Sequence, residues 1–233
     1  METRKDKQFI GKMFDEISPT YDKLNHLFSA MQDKRWRKKA VNLLIGQNFK
    51  PENILDLASG SGDLALEMLR LNPVRLYSVD LSFEMLKLNR EKIRSANNFA
   101  VQAEAELLPF KDELFDLAGI AFGVRNFEEL ESCIVEIKRV LKPGGKFLTI
   151  EMFRNNSEGI TRKSFNYYFK KIVPKLGNKM SNSDYAYDYL YDSVDTFLTA
   201  EEYCLELTNY GFRIEYTKNN FMGIVNTIIA IRI

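Results

Sequence analysis

From residue 53 onward the chain alternates short apolar runs with segments whose apolar positions recur every three or four residues. The runs at 53–57, 75–80, 98–103, 115–122 and 145–151 are short and bounded by turn residues, so they predict buried strands. Between them, Leu64, Ala65, Met68 and Leu69 make one helical stripe, and Leu130, Cys133, Ile134, Ile137 and Leu141 make another. Ser82 is placed to cap the helix after the second strand, and Asn126 with Glu129 has capping-box spacing. Pro143-Gly144-Gly145 is expected to end the next helix and turn it into the fifth strand. Helices alternating with buried strands imply an α/β fold with a parallel sheet covered on both faces. Thr199 and Glu202 open a last helix ending at Gly211, and runs at 212–218 and 223–232 predict an antiparallel hairpin on the sheet edge.

Two regions depart from that rhythm. Residues 1–50 read as a helical N-terminal cap, with Phe9, Ile10, Met13, Phe14 and Ile17 on one face, a break at Ser18-Pro19, and a second helix from Asp33 to Ile45. Residues 154–198, an insertion within the domain spanning 51–233, are dense in tyrosine, phenylalanine and basic side chains without clear alternation. A lid over a substrate would sit there.

A chain of 233 residues is long enough to bury a real core in one α/β domain with modest additions. Lys and Arg total 33 against 32 Asp and Glu, so no net field would hold a nucleic acid backbone. No apolar run reaches the ~18 residues of a membrane span, and the N-terminus lacks a signal-peptide core, so a cytoplasmic protein is expected. His26 is the only histidine, and Cys133 and Cys204 fall on the apolar sides of predicted helices. Neither a metal site nor a disulfide framework is expected from them. A monomer and a homodimer are both compatible with this composition.

The chemistry begins at Ile54-Leu55-Asp56-Leu57-Ala58-Ser59-Gly60-Ser61-Gly62, an apolar strand running into a glycine-rich turn. Asp80 follows 20 positions beyond Gly60, where a ribose-binding acid is expected in a βαβ nucleotide unit. Asp56 and Asp63 add carboxylates to this turn, and each would repel a pyrophosphate by several kcal/mol in a partly desolvated cleft. They suit a cationic cofactor, which favours S-adenosylmethionine over NAD. Glu104-Ala105 ends the third strand, where it can approach the adenine amine. Phe122-Gly123-Val124-Arg125-Asn126 follows the fourth strand on the same edge and would face the transferred methyl. Arg125 there is either a phenolate-binding charge or a surface charge beside a helix, and Asn126 is either catalytic or a cap. Tyr21-Asp22-x-x-Asn25 with Trp36-Arg37 is either interhelix packing or a flap over the site.

Several segments together resemble the quinone C-methyltransferases of ubiquinone and menaquinone biosynthesis. Met13-Phe14-Asp15, Tyr21-Asp22-x-x-Asn25-x-x-x-Ser29 and Trp36-Arg37 look like that family's N-terminal signature. Ala105-Glu106-x-Leu108-Pro109-Phe110, Phe115-Asp116 and Phe122-Gly123-x-Arg125-Asn126 look like its central block. Arg139-Val140-Leu141-Lys142-Pro143-Gly144-Gly145, ending at Glu151, looks like its second signature, and Tyr168-Phe169, Pro174, Gly177, Tyr189-Leu190, Ser193-Val194 and Phe197 its aromatic insertion. The resemblance implies a Rossmann-like class I methyltransferase sheet of seven strands, mostly parallel with an antiparallel C-terminal hairpin. It implies S-adenosylmethionine at Ser61, Asp80, Glu104 and Ala105, and Asp56, Gly60 and Gly62 of the turn with Ala121 complete the candidate cofactor residues.

The implied reaction is C-methylation of a polyprenylated quinol, demethylmenaquinol or its benzoquinol counterpart, with Arg125 and Asn126 at the reacting ring. The lipophilic tail implies peripheral membrane contact, for which Phe165, Tyr167, Tyr168 and Phe169 beside Lys170 and Lys171 are candidates, with packing of the lid as the alternative. Departures from the family pattern are Glu104 for Asn, Asp33 for His, Leu24 for Met and Phe153 for Ser, together with a C-terminal segment lacking paired glycines. Two other classes share the turn: an NAD-dependent oxidoreductase and a non-catalytic methyltransferase-like partner.

Overall fold

A computed structural model describes residues 6–155, 167–181 and 183–233. Three helices come first: α1 (Lys7–Ile17), α2 (Tyr21–Phe28) and α3 (Gln32–Gly46). The alternating part follows as β1 (Asn53–Leu57), α4 (Asp63–Met68), β2 (Arg75–Asp80), α5 (Phe83–Lys92), β3 (Asn98–Gln102), β4 (Phe115–Ala121), α6 (Leu130–Val140) and β5 (Leu141–Met152). A π-helical turn over Tyr168–Ile172 runs into α7 (Val173–Ser181), followed by α8 (Ala186–Asp195), α9 (Ala200–Asn209), β6 (Phe212–Phe221) and β7 (Val225–Arg232). The strands form one seven-stranded sheet in the order β3-β2-β1-β4-β5-β7-β6. The first five pair in parallel, and β7 lies antiparallel between β5 and β6.

Alternation along each strand sorts the core into two layers. Ile54, Leu76, Leu148 and Ile229 pack under α3 and α4, whereas Leu55, Leu57, Phe147 and Ile228 pack under α6 and α9. Cys133 is buried on the second face and Cys204 is half-buried beside it, and both are free thiols. A third cluster joins Met13 and Leu24 of the N-terminal helices to Val173, Tyr187 and Tyr189 of α7 and α8. Among the described residues its only strand contributor is Met152, at the C-terminal end of β5, so this cluster sits over the carboxyl edge of the sheet. That is the edge where ligands bind in open α/β sheets.

Ser82 caps α5 by accepting the Met85 N–H at 3.1 Å, and Thr199 with Glu202 forms the capping box of α9. Two expectations are corrected. Asn126 caps nothing: it ends a 3₁₀ turn, α6 starts four residues later, and its side-chain oxygen accepts instead from the Tyr189 hydroxyl at 3.1 Å. Pro143-Gly144-Gly145 does not terminate α6 either. The helix ends at Val140, Leu141 already pairs with Phe115, and the register resumes at Leu117 with Lys146, so the Pro-Gly-Gly segment bulges out of β5. Of the two readings of the aromatic insertion, packing of the lid holds for Phe169, which is buried, and for Tyr168, half-buried against the third cluster, whereas Tyr167 is 65% exposed. Phe165 lies outside the described residues. No helix among the described residues is long and apolar enough to cross a membrane.

Candidate active site

The turn after β1 requires left-handed backbone at Ala58, Gly60 and Gly62, with φ of 49°, 51° and 90°. At Gly62 a Cβ would also stand 2.8 Å from Asn89 Nδ2 and 2.9 Å from Ile93 Cδ1, so only glycine fits between the turn and α5. Asp80, at the end of β2, braces this turn. One oxygen accepts the Gly60 N–H at 2.7 Å and the other the Ser82 N–H at 2.8 Å. Burial pushes its carboxyl up to about 6, against the pull of those N–H groups. Each oxygen keeps a lone pair for a ligand hydroxyl.

A crevice of about 90 Å³ opens here, lined by Gly60, Asp80, Glu104, Ala105, Ala121 and Asn126, with Lys7 and Phe14 of α1 across it. Glu104 is half exposed and pairs with Lys7 at 2.8 Å, which ties α1 to the rim. Beside the crevice a smaller pocket gathers Asp56, Gly60, Ser61, Asp63 and Ala121 with Tyr21 and Asp22 of α2. Asp56 is 1% exposed and, among the described residues, neither of its oxygens accepts a well-formed hydrogen bond. Burial raises its pKa well above the ordinary value, and the Ala65 backbone N–H and the nearby Arg37 charge offset this only in part.

Asp63, expected to suit a cationic cofactor, is already surrounded by cations of this chain. Lys92 Nζ stands 2.7 Å away, His26 Nε2 3.5 Å and Arg37 Nη1 3.8 Å. Burial would raise its pKa, but Arg37 and Lys92 hold it below the ordinary value. The cationic preference of the pocket therefore rests on Asp56, which forms no ion pair among the described residues and would ionise against a bound cation. Lys92 also reaches Asp22 at 2.6 Å and Ser61 Oγ at 2.9 Å, so it stitches α5, α2 and the turn together. Asp22, His26 and Asp63 have ligand atoms close enough to share a metal ion. The Lys92 ammonium already contacts both carboxylates, which disfavours a second cation there.

Past the crevice lies a cavity of about 700 Å³ with mostly aromatic and aliphatic walls, including Phe28, Trp36, Phe169, Tyr187 and Leu190. Phe14, Tyr21 and Phe122 line both spaces and form the boundary between them. Arg125 lines the cavity, not the crevice, and it is 6% exposed. Its Nη1 donates to Glu151 Oε1 at 2.9 Å and to the Phe122 carbonyl at 2.5 Å, and its Nε to Ser193 Oγ at 3.2 Å. Nη2 has no hydrogen-bond partner among the described residues. A surface charge beside a helix is thus excluded, because Glu151 is fully buried and the pair is locked.

The structure thus brings Gly60, Asp80, Glu104, Ala105, Ala121 and Asn126 to one crevice and Asp56 and Ser61 to its neighbour, while Arg125 stands apart and Gly62 only shapes the turn. Sequence reasoning had given no site role to Glu151, Lys92 or the cavity. Glu151 carried a signal, an acid near the end of an apolar strand on the ligand edge, whereas Lys92 sits in an ordinary polar helix end.

Comparison with known proteins follows the same lines. The ubiE/COQ5 methyltransferase family model matches residues 1–232. A demethylmenaquinone methyltransferase of Chlorobaculum tepidum is 42% identical over 214 residues, covering 90% of this chain and 86% of that protein. A ubiquinone/menaquinone biosynthesis C-methyltransferase UbiE of Campylobacter jejuni is 33% identical over 229 residues, covering 95% and 96%. A crystal structure of a SAM-dependent methyltransferase from Thermotoga maritima is 19% identical, with a TM-score of 0.65 over 95% of this chain and 98% of that one, which is a likeness of fold. With the family pattern matched along essentially its whole length, the chain belongs to the ubiE/COQ5 methyltransferase family.

Proposed function

We propose that this protein methylates a ring carbon of a polyprenylated quinol, with S-adenosylmethionine as donor and demethylmenaquinol as acceptor. The observation that carries this reading is the apolar cavity of about 700 Å³ that meets the polar crevice at Phe14, Tyr21 and Phe122, with Arg125 on its wall. Such a space suits a bicyclic ring and the first part of an isoprenoid tail. The acceptor's identity is taken from relatives such as the Chlorobaculum tepidum protein. A cytoplasmic enzyme working on a membrane-resident quinol follows from it.

The residues fit the donor. Asp56, buried with two unpartnered oxygens, would hold an ammonium; Asp80 has a free lone pair on each oxygen for two ribose hydroxyls. Ser61 closes the same pocket, and Glu104, Ala105 and Ala121 would flank the base. Bound there, S-adenosylmethionine supplies an electrophilic methyl carbon on a sulfonium. The chain's own task is to make the ring carbon nucleophilic, which requires an ionised ring hydroxyl. Arg125 stabilises that phenolate through Nη2, its other nitrogens being held by Glu151, Ser193 and the Phe122 carbonyl. In an apolar cavity this attraction is weakly screened and needs no reorganisation.

Burial pushes the Tyr21 hydroxyl up to about 12 against the pull of Arg125 and Arg37. Tyr21 therefore stays protonated and acts as a hydrogen-bond donor that positions the ring, while water carries the proton away. Aligning the ring with the donor across the Phe14, Tyr21 and Phe122 boundary supplies much of the acceleration. After transfer the ring carbon loses its own proton and aromaticity returns. The test is turnover of a detergent-dispersed, short-tailed naphthoquinol against the same ring in its oxidised form. Methylation of the quinol alone is expected; equal methylation of the oxidised ring, or of neither, overturns the reading.

A further inference from the structure

The helix that walls the acceptor cavity presents three distinct faces. Over Tyr168–Ser181, Phe169, Val173, Gly177 and Ser181 recur every four residues and are buried. Lys171, Lys175 and Lys179 recur at the same interval and are exposed. So do Ile172, Leu176 and Met180, which are 37%, 45% and 41% exposed. Successive helical residues turn by about 100°, so the lysine stripe and the apolar stripe lie side by side over roughly half the circumference. The buried face cannot roll outward, because α7 packs on α8 so closely that a Cβ on Gly177 would fall 2.4 Å from the Tyr187 ring.

These lysines make no ion pair among the described residues, although acidic side chains lie nearby on α8, including Asp188, which Asn178 engages at 2.7 Å. The Tyr168 hydroxyl donates to the Phe28 carbonyl at 3.2 Å and so joins the start of this helix to the end of α2. There Leu27 and Met31 are 56% and 49% exposed. Phe28, Tyr168 and Phe169 line the cavity, so the exposed apolar side chains border its wall. A row of lysines alone is a solvated face, and a few exposed aliphatics alone mean nothing. Parallel stripes of both kinds on one helix match the interface of an anionic bilayer, with ammonium groups at headgroup phosphates and aliphatic side chains at the acyl boundary.

We infer that this face docks on a bilayer containing anionic phospholipid. Lys171, Lys175 and Lys179 meet the headgroups, Ile172, Leu176 and Met180 enter the acyl boundary, and the acceptor cavity borders the membrane. The tail of the quinol then stays in lipid while its ring enters the cavity; this purpose, though not the surface chemistry, rests on the acceptor proposed above.

Co-sedimentation of the full chain with vesicles of phosphatidylglycerol and phosphatidylcholine, against phosphatidylcholine alone, is the test. Binding to the anionic vesicles, weakened by salt, is expected. The triple change K171Q/K175Q/K179Q should weaken it about 100-fold, each charge contributing about fivefold. I172S/L176S/M180S should weaken it by about 10-fold or more. Both variants should keep wild-type turnover on a detergent-dispersed short-tailed quinol and lose it on quinol embedded in vesicles. Absence of vesicle binding, equal binding to neutral vesicles, or indifference to both variants overturns the inference. So does an apolar variant that merely converts a dimer to a monomer, which would mean that a second copy covers the stripe. Stripe-dependent binding without methylation of any quinol would leave the docking surface standing and remove the acceptor.

Discussion

Replacing Asp56 by Asn probes the site where stability and function oppose each other most sharply. The carboxyl is buried with both oxygens unpartnered, and its pKa is raised well above the ordinary 3.8. In the unfolded chain it ionises near 3.8, whereas in the folded protein it keeps its proton to much higher pH. Between those values the unfolded state binds fewer protons, so this group lowers stability by about 1.4 kcal/mol for each pH unit. From pH 5 upward the wild type should therefore lose stability relative to Asp56→Asn, which has no such titration, for as long as the folded carboxyl keeps its proton. For a chain of this size each kcal/mol lost appears as about 2–4 °C of relative melting temperature.

Thermal unfolding of both ligand-free proteins across this range measures it. The same substitution removes the partner proposed for the donor's ammonium and should weaken S-adenosylhomocysteine by about 10–100-fold. Calorimetry in buffers of different ionisation enthalpy should show proton release on binding to the wild type and less from the variant, which keeps only the Asp80 contribution. Parallel pH dependence of the two melting curves would refute the reasoning, because Asp56 would then be ionised or hydrated in the fold.

Arg125→Lys should cut turnover about 100-fold by removing the planar donor set while leaving S-adenosylhomocysteine affinity nearly intact; steady-state kinetics with calorimetry checks this, and equal loss of both would remove its proposed role. Gly62→Ala should cost about 2–4 kcal/mol, from its φ of 90° and the contacts with Asn89 and Ile93, read as a lower denaturation midpoint. Gly60→Ala, whose Cβ would meet nothing nearer than Tyr21 at 3.9 Å, should cost less stability and more cofactor affinity. Asp80, titrating at about 6, is ionised at neutral pH and protonated below, so S-adenosylhomocysteine affinity should fall up to about 10-fold between pH 7 and pH 5 in equilibrium binding.

The sheet was legible because each strand announces itself locally: β1, β2 and the closing hairpin are short apolar runs between turn residues, and all fall close to their expected positions. Ser82 and Thr199 were legible for the same reason, since a cap is decided within four residues. Asn126 shows where that logic stops. Its spacing to Glu129 fits a cap, but Tyr189, 63 positions away, claims the side chain. The pairing of Asp63 is not legible in the turn, because Lys92 and Arg37 reach it from other helices. The Arg125–Glu151 pair and the acceptor cavity arise likewise from packing between distant segments. In the aromatic insertion, composition drew the eye to Tyr168 and Phe169, which face inward, while the four-residue spacing of lysines and aliphatics marked the outer face.

The most direct test of carbon methylation is to supply the purified protein with donor bearing a deuterated methyl and a naphthoquinol with one unsubstituted quinol-ring position. Mass spectrometry and NMR of the product then locate the label. The label should sit on that ring carbon, with its hydrogen gone and both ring oxygens free. A labelled methoxy group, or an unlabelled ring after extended incubation, would contradict the account.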